Sequence, residues 1–268
     1  MGLFDSHSHL NDEKFDEDRE EQIKKICESG VSNFITAGYS VESSKKALEI
    51  AKKYDFIYTT AGVSPNDIPQ TEEELWKQLA EIEKIVEKNK EKICAIGEIG
   101  LDYYWNTDNK ELQKKAFIEQ IKIANKYNLP IVIHTREAVM DTLQILKENK
   151  VTKTGVFHCC PQNRELIKEG LKLGFYISFA GPITFKNSKN AEEMINLVPN
   201  DRILIETDSP YLAPEPVRGT RNTPANVKYI AQKIADVKGL TLEEVEKMTF
   251  ENTKNILYIN KLCNLPNI

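Results

Sequence analysis

LFDSHSHL, residues 3–10, sets His7 and His9 two positions apart beside Asp5, in a chain with only four histidines. A polar turn after the initiator Met, or a remnant of an expression tag, is the plain reading. A tag would be a longer unbroken run, whereas these histidines are flanked by apolar residues. Read as a strand, successive side chains point to opposite faces, so Asp5, His7 and His9 share one face. Two imidazoles at that spacing can clamp one divalent cation. Whether this strand opens a metal-bearing fold depends on the remainder of the chain.

Beyond residue 10 the chain repeats one pattern, a short apolar run and then an amphipathic stretch. The strand candidates are Leu3–Ser6, Val31–Thr36, Phe56–Ala61, Ile93–Ile96, Ile131–Ile133, Gly155–Phe157, Phe175–Phe179 and Ile203–Ile205. Helical spacing recurs between them, as at Leu75, Leu79, Ile82 and Val86. Thr71 with Glu74 and Thr241 with Glu244 have capping-box spacing at two helix starts. Near-continuous apolar strands alternating with helices predict a parallel sheet covered on both sides. Eight such units closing on themselves make a (β/α)8 TIM barrel in the α/β class; an open doubly wound sheet is the alternative. Periodicity does not choose between them.

Composition narrows the class. The chain has 268 residues, 40% hydrophobic and 29% charged, enough for a full core, and no Pro/Gly linker, low-complexity run or heptad repeat divides it. It reads as one domain over 1–268. No apolar run approaches the roughly 20 residues of a membrane span, and no charged-then-apolar leader opens the chain, so a cytoplasmic protein is expected. Cys27, Cys94, Cys159, Cys160 and Cys263 are odd in number and lack C-x-x-C spacing, as for thiols in a reducing compartment. A net charge of −5 argues against broad electrostatic wrapping of nucleic acid, though not against a local anion site.

The polar residues favour the barrel. His7 and His9 close the first strand candidate, Glu98 follows the fourth, His134 the fifth, His158 the sixth and Asp208 the eighth. In a parallel barrel all six emerge at the C-terminal rim, where such folds build their active sites. A lone histidine after a strand is usually a hydrogen-bonded structural residue. Chance placement would also scatter histidines over helices, and the helical segments contain none.

The motifs DSHSHL, GEIGLDYY, LPIVIHTREA, FHC and ETDSPYL, followed by RGTRNTPANV, resemble in kind and order the TatD family of metal-dependent hydrolases, within the amidohydrolase superfamily. The resemblance runs from Phe4 to about Leu257. It implies a TIM barrel, a divalent-metal centre and hydrolase activity, typically deoxyribonuclease. It also implies that His7, His9, Glu98, His134, His158 and Asp208 are the metal-binding positions. Two stretches depart from the family pattern. A Gly-x-His-Pro-His segment is replaced by AGVSPND, with Ser64 and Asn66 at the histidine places. Cys159-Cys160-Pro161-Gln162 stands where the family usually has Cys-Phe-Ser-Gly.

On that assignment, one ion is expected on His7, His9 and Asp208 and a second on His134 and His158, bridged by Glu98. Imidazole and carboxylate donors suit Zn²⁺ or Mn²⁺, and Mg²⁺ is left open. Two such ions about 3.5–4 Å apart acidify a water and clamp a developing oxyanion. Asp208 is the expected base and Glu98 the other catalytic carboxylate. Arg136 and Arg221 are candidate phosphate contacts; for Arg136 the alternative is an ion pair with Glu137, and for Arg221 a purely structural place in its loop. Glu206 would organise the mouth or join a buried ion pair. Tyr103, Tyr104 and Trp105 either pack their loop or stack on bases.

The expected substrate is DNA, at single-stranded ends, with no obligate protein partner. An aminoacyl-tRNA deacylase or small-amide hydrolase on the same metals is the alternative. Non-catalytic metal or nucleic-acid binding would not require so full a ligand set in an open mouth.

Overall fold

In the computed structural model, residues 2–105 and 107–257 are described. Cys263 lies outside them. Eight parallel strands, β1 Leu3–Ser8, β2 Val31–Thr36, β3 Ile57–Ala61, β4 Ile93–Asp102, β5 Ile131–Arg136, β6 Gly155–Phe157, β7 Tyr176–Phe179 and β8 Ile203–Ile205, lie in sequence order around one sheet. Each neighbouring pair from β1 to β8 is parallel. The ends meet at the C-terminal rim: the Asp208 N–H donates to His7 O at 2.9 Å, and the His9 N–H to Ser209 O at 2.7 Å. The fold is a single (β/α)8 barrel, and the open-sheet alternative is excluded. Three of the four residues in those closing bonds, His7, His9 and Asp208, are ones expected to hold metal.

The helices cover the outside: α1 Arg19–Glu28, α2 Val41–Lys53, α3 Glu72–Lys88, α4 Lys110–Tyr127, α5 Val139–Glu148, α6 Arg164–Lys172, α7 Ala191–Leu197, α8 Val227–Lys238 and α9 Leu242–Ile256. The α3 stripe of Leu75, Leu79, Ile82 and Val86 is buried, as its spacing predicts. Thr241 and Glu244 form a complete capping box. At α3 the Thr71 hydroxyl accepts from the Glu74 N–H.

Two apolar layers result. The larger fills the space between sheet and helices. The smaller, Phe4, Ile35, Tyr58, Ala95, Val132, Val156 and Leu204, joins Phe250, Ile256 and Leu257 around α9. Asn252 on α9 donates to Asn200 O and Ile203 O, tying that helix beneath β8. Each fully buried Leu, Ile or Phe stabilises by about 2–3 kcal/mol, so this plug firmly anchors the strand ends opposite the site.

Five strands differ from expectation: β3 and β7 each begin one residue later, β1 continues to Ser8 and so includes His7, and β4 and β5 are extended. β4 runs six residues past Ile96 to Asp102, and β5 extends to Arg136, so Glu98 and His134 lie within strands rather than after them. The β4–β5 ladder pairs Gly100 with His134 and Asp102 with Arg136. Polar residues continue these strands because paired backbone, not apolar content, holds them in the ladder. Gly100 is required there: its φ is +138°, and a Cβ would lie 2.0 Å from His134 O.

Candidate metal centre

Glu98 sits at the middle of the mouth, and its two oxygens face different histidines. Oε2 lies 3.5 Å from His7 Nε2 and 3.6 Å from His9 Nε2. Oε1 lies 2.9 Å from His134 Nδ1 and 3.3 Å from His158 Nε2. Asp208 Oδ1 completes the first group, 3.3 Å from His9 Nε2 and 3.8 Å from His7 Nε2. Six side chains from distant parts of the chain therefore converge as their strand ends predict. Backbone bonds set that convergence: Glu98 N–H donates to Gly38 O, and His158 N–H to Ile133 O. Asp208 adopts a left-handed backbone, φ 55°, a region sparsely occupied by residues other than glycine.

The far side of two imidazoles is held by a hydrogen bond, and that of His158 faces a carboxylate without one. His9 Nδ1 is 3.2 Å from Ala37 O, and His134 Nε2 is 2.9 Å from Asp102 Oδ2. His158 Nδ1 is 3.4 Å from Glu206 Oε1. Hydrogen-bonded outer partners fix the tautomer and turn the remaining nitrogen toward an ion. The ligand atoms of His7, His9 and Asp208 all lie within 4.8 Å of one another, as do those of His7, Glu98 and His158. Buried nitrogen and carboxylate donors at this spacing fit divalent ions.

The charges agree. Burial alone would raise the Glu98 pKa, but His158, His134 and His7 hold it well below the ordinary carboxylate value. Burial likewise opposes ionisation of Asp208, and His9 outweighs it. Asp102 is buried, yet His134 and the Trp105 and Tyr104 amides hold it down to about 2. Three carboxylates are thus kept ionised at the mouth of a net-acidic chain, complementary to cations.

Residues 4–258 match the family described as TatD related DNase. The chain belongs to the TatD family of metal-dependent hydrolases. It is 45% identical over 262 residues to YabD of Bacillus subtilis, described as an uncharacterized metal-dependent hydrolase, covering 96% of this chain and 100% of that protein. It is 38% identical over 267 residues to YcfH of Escherichia coli K12, similarly described, with 97% of each covered. A TatD family hydrolase from Entamoeba histolytica superposes with a TM-score of 0.86 at 26% identity over 96% of this chain and 98% of that one. The TatD homologue YjjV of Escherichia coli superposes at 0.89 with 24% identity, covering 95% and 97%.

Within this TatD barrel the remaining expected residues have varied places. Asp5 does not join the histidines. The β1–β2 register is irregular between Asp5 and Ser8, and the Asp5 carboxylate instead accepts from Thr207 N–H, Thr207 hydroxyl and His7 N–H. Glu206 is buried and accepts from Cys159 N–H at 2.5 Å. Cys160 is buried as well, its N–H donating to Ser178 O. Arg136 stacks on Tyr104, its guanidinium carbon 3.8 Å from the ring centroid. Arg221 makes a two-pronged bond to Asp18 and donates to Lys14 O.

Sequence reasoning missed Asp102. It stands four residues beyond Glu98 on the same face of β4, so GEIGLD carried the signal. Asn66, at a departure from the family pattern, reaches the same carboxylate: its Nδ2 is 3.4 Å from Asp102 Oδ2. Ser64 caps the short helical turn Pro65–Asp67 by accepting from Asn66 N–H. No helix among the described residues is long and apolar enough to cross a membrane.

Proposed function

We propose that this TatD hydrolase is a deoxyribonuclease that cleaves phosphodiester bonds at single-stranded DNA ends. The observation that carries the reading is the division of Glu98: one oxygen toward His7 and His9, the other toward His134 and His158. This suits one ion on His7, His9 and Asp208, a second on His134 and His158, and Glu98 between them. Zn²⁺, Mn²⁺ or Mg²⁺ held there would supply Lewis acidity toward a water and a phosphoryl oxygen.

The chain's own groups supply the rest. Asp208, ionised and beside His9, takes the proton of the attacking water on its carboxylate. Glu98 stays ionised and holds the two histidine groups in register. Arg136 meets a substrate phosphate with its planar fork, and Arg221 does so after leaving Asp18. A separated strand end reaches a recessed rim that an intact duplex fits poorly.

The test is a screen of metal-reconstituted protein against end-labelled single-stranded DNA, duplex DNA, charged tRNA and simple amides. Chelator-sensitive shortening of single-stranded DNA from its ends is expected. Intact DNA alongside hydrolysed charged tRNA or amide would replace this reading with deacylase or amidase activity.

A further inference from the structure

Two aromatic side chains at the rim are left in solvent. Tyr104 is 48% exposed and Trp105 66% exposed, with ring centroids 4.8 Å apart and planes at 87°. Their neighbour Tyr103 differs: it packs against the core, and its hydroxyl donates to Asp141. The Arg136 guanidinium lies against both exposed rings, 3.8 Å from the centroid of Tyr104 and 5.4 Å from that of Trp105. Met140, at the start of α5, is 72% exposed.

The turn carrying these rings is fixed rather than loose. Asp102 Oδ1 accepts the N–H groups of both Tyr104 and Trp105, at 2.9 and 3.0 Å. Tyr103 N–H donates to Arg136 O. The other oxygen of Asp102 holds His134. One buried carboxylate therefore spans from a metal-site imidazole to the backbone of the exposed pair, and the platform stands beside the centre by construction.

We propose that Tyr104, Trp105 and Arg136 form a nucleotide subsite, in which an unpaired base stacks on the exposed rings while Arg136 meets the adjoining phosphate. The subsite rests on the nucleic-acid reading of the metal centre. Its support is the joining of a π surface to a cation, complementary to a base joined to an anion. Stacking of this kind tolerates any base, because every base has a π face. The fixed turn also lowers the ordering cost of binding.

Trp105 reports directly on this subsite, because the chain has two tryptophans and Trp76 on α3 can be removed by Trp76→Phe. In that background, metal-loaded protein is titrated with phosphorothioate-linked pentathymidylate, which resists hydrolysis, and with an abasic strand of the same length and linkages. Saturable quenching of Trp105 by the thymidylate is expected, with roughly five- to a hundredfold weaker binding of the abasic strand. Trp105→Ala should raise KM for DNA, and Trp105→Phe should restore most of it. Equal binding of both strands, with DNA still cleaved by the unmodified enzyme, would overturn the subsite and leave the nuclease reading standing. Failure of the unmodified enzyme to cleave any DNA would overturn both. Circular dichroism of each variant separates these outcomes from misfolding.

Discussion

Asp102 Oδ2 lies 2.9 Å from Nε2 of His134, and this contact leaves the opposite nitrogen, Nδ1, facing Glu98 Oε1 at 2.9 Å. A carboxylate can only accept, so Nε2 must carry a proton. Nδ1 also faces a carboxylate, and against burial both contacts raise the His134 pKa. Nδ1 therefore offers its lone pair to an ion by giving up that proton while Nε2 keeps its own. Asp102→Asn keeps the shape but presents an amide N–H to Nε2 when its oxygen continues to cap Tyr104 and Trp105. Nε2 then accepts, and Nδ1 keeps its proton. We expect about 10- to 100-fold weaker binding of the ion nearest His134, the usual effect of losing such a partner. Metal titration and ¹⁵N shifts of the His134 ring check this. Unchanged affinity with an unprotonated Nδ1 would refute it.

Glu98→Gln tests the bridge. The substitution keeps volume but leaves one acceptor where two oxygens faced two groups of histidines. Both ions should weaken together, and turnover should fall by at least about a hundredfold, since an ionised first contact is lost. The barrel should stay folded, because its closure is carried by backbone bonds at His7 and His9. Metal stoichiometry, rate and circular dichroism are measured on one preparation; near-normal occupancy and turnover would make Glu98 a structural residue only.

His134→Ala and His9→Ala separate the two positions. His134 faces only the Oε1 side of Glu98, and His9 only the Oε2 side. Each alanine should therefore remove chiefly one ion, and a different one. Elemental analysis after reconstitution should give about one ion per chain for each variant if two bind the wild type. Loss of both ions from either variant would mean that the sites fill cooperatively.

Much of this arrangement was legible in the sequence because histidines are few and barrel strands deliver their ends to one rim. His7, His9, His134 and His158 needed only their position after an apolar run to be grouped. The lengths of β4 and β5 were not legible, since Glu98, Asp102 and Arg136 break the apolar pattern while the ladder continues through them. Asp5 was misjudged for a related reason: alternation assumes a regular strand, and β1 is irregular where the histidines begin. Asp102 carries no composition signal beyond its two-residue phase with Glu98. Nor could spacing show that Arg221 faces Asp18, since their proximity joins the first and last loops of the rim.

Gly100 permits a sharper test of backbone fit. Its φ of +138° suits glycine, and an added Cβ would meet His134 O at 2.0 Å. Gly100→Ala should therefore force β4 and β5 apart beside His134 and cost more than about 3 kcal/mol, in the range of strain combined with overpacking. Gly219 is the control. It also has positive φ, +90°, but nothing lies within 4 Å of its Cβ position. Gly219→Ala should cost only the backbone strain of about 1–3 kcal/mol. Denaturant midpoints compare the two, and equal losses would remove the steric account of Gly100.

Arg221 poses a choice that two substitutions decide. Its guanidinium grips both Asp18 oxygens and the carbonyl of Lys14, and it lies 4.8 Å from the Phe15 ring. Both partners are partly exposed, so the pair stabilises the fold by only about 0.2–1 kcal/mol. Paired, it is electrically neutral, and Arg221 attracts a phosphate only by leaving Asp18. If it binds substrate in that way, Arg221→Ala should raise KM for single-stranded DNA severalfold. Asp18→Ala, which frees the guanidinium, should leave KM unchanged or lower it. The salt dependence of KM should weaken in the arginine variant alone, because one phosphate contact is lost. Equal rises in KM from both substitutions would instead make Arg221 a clamp between the first and last rim loops, with no contact to the strand.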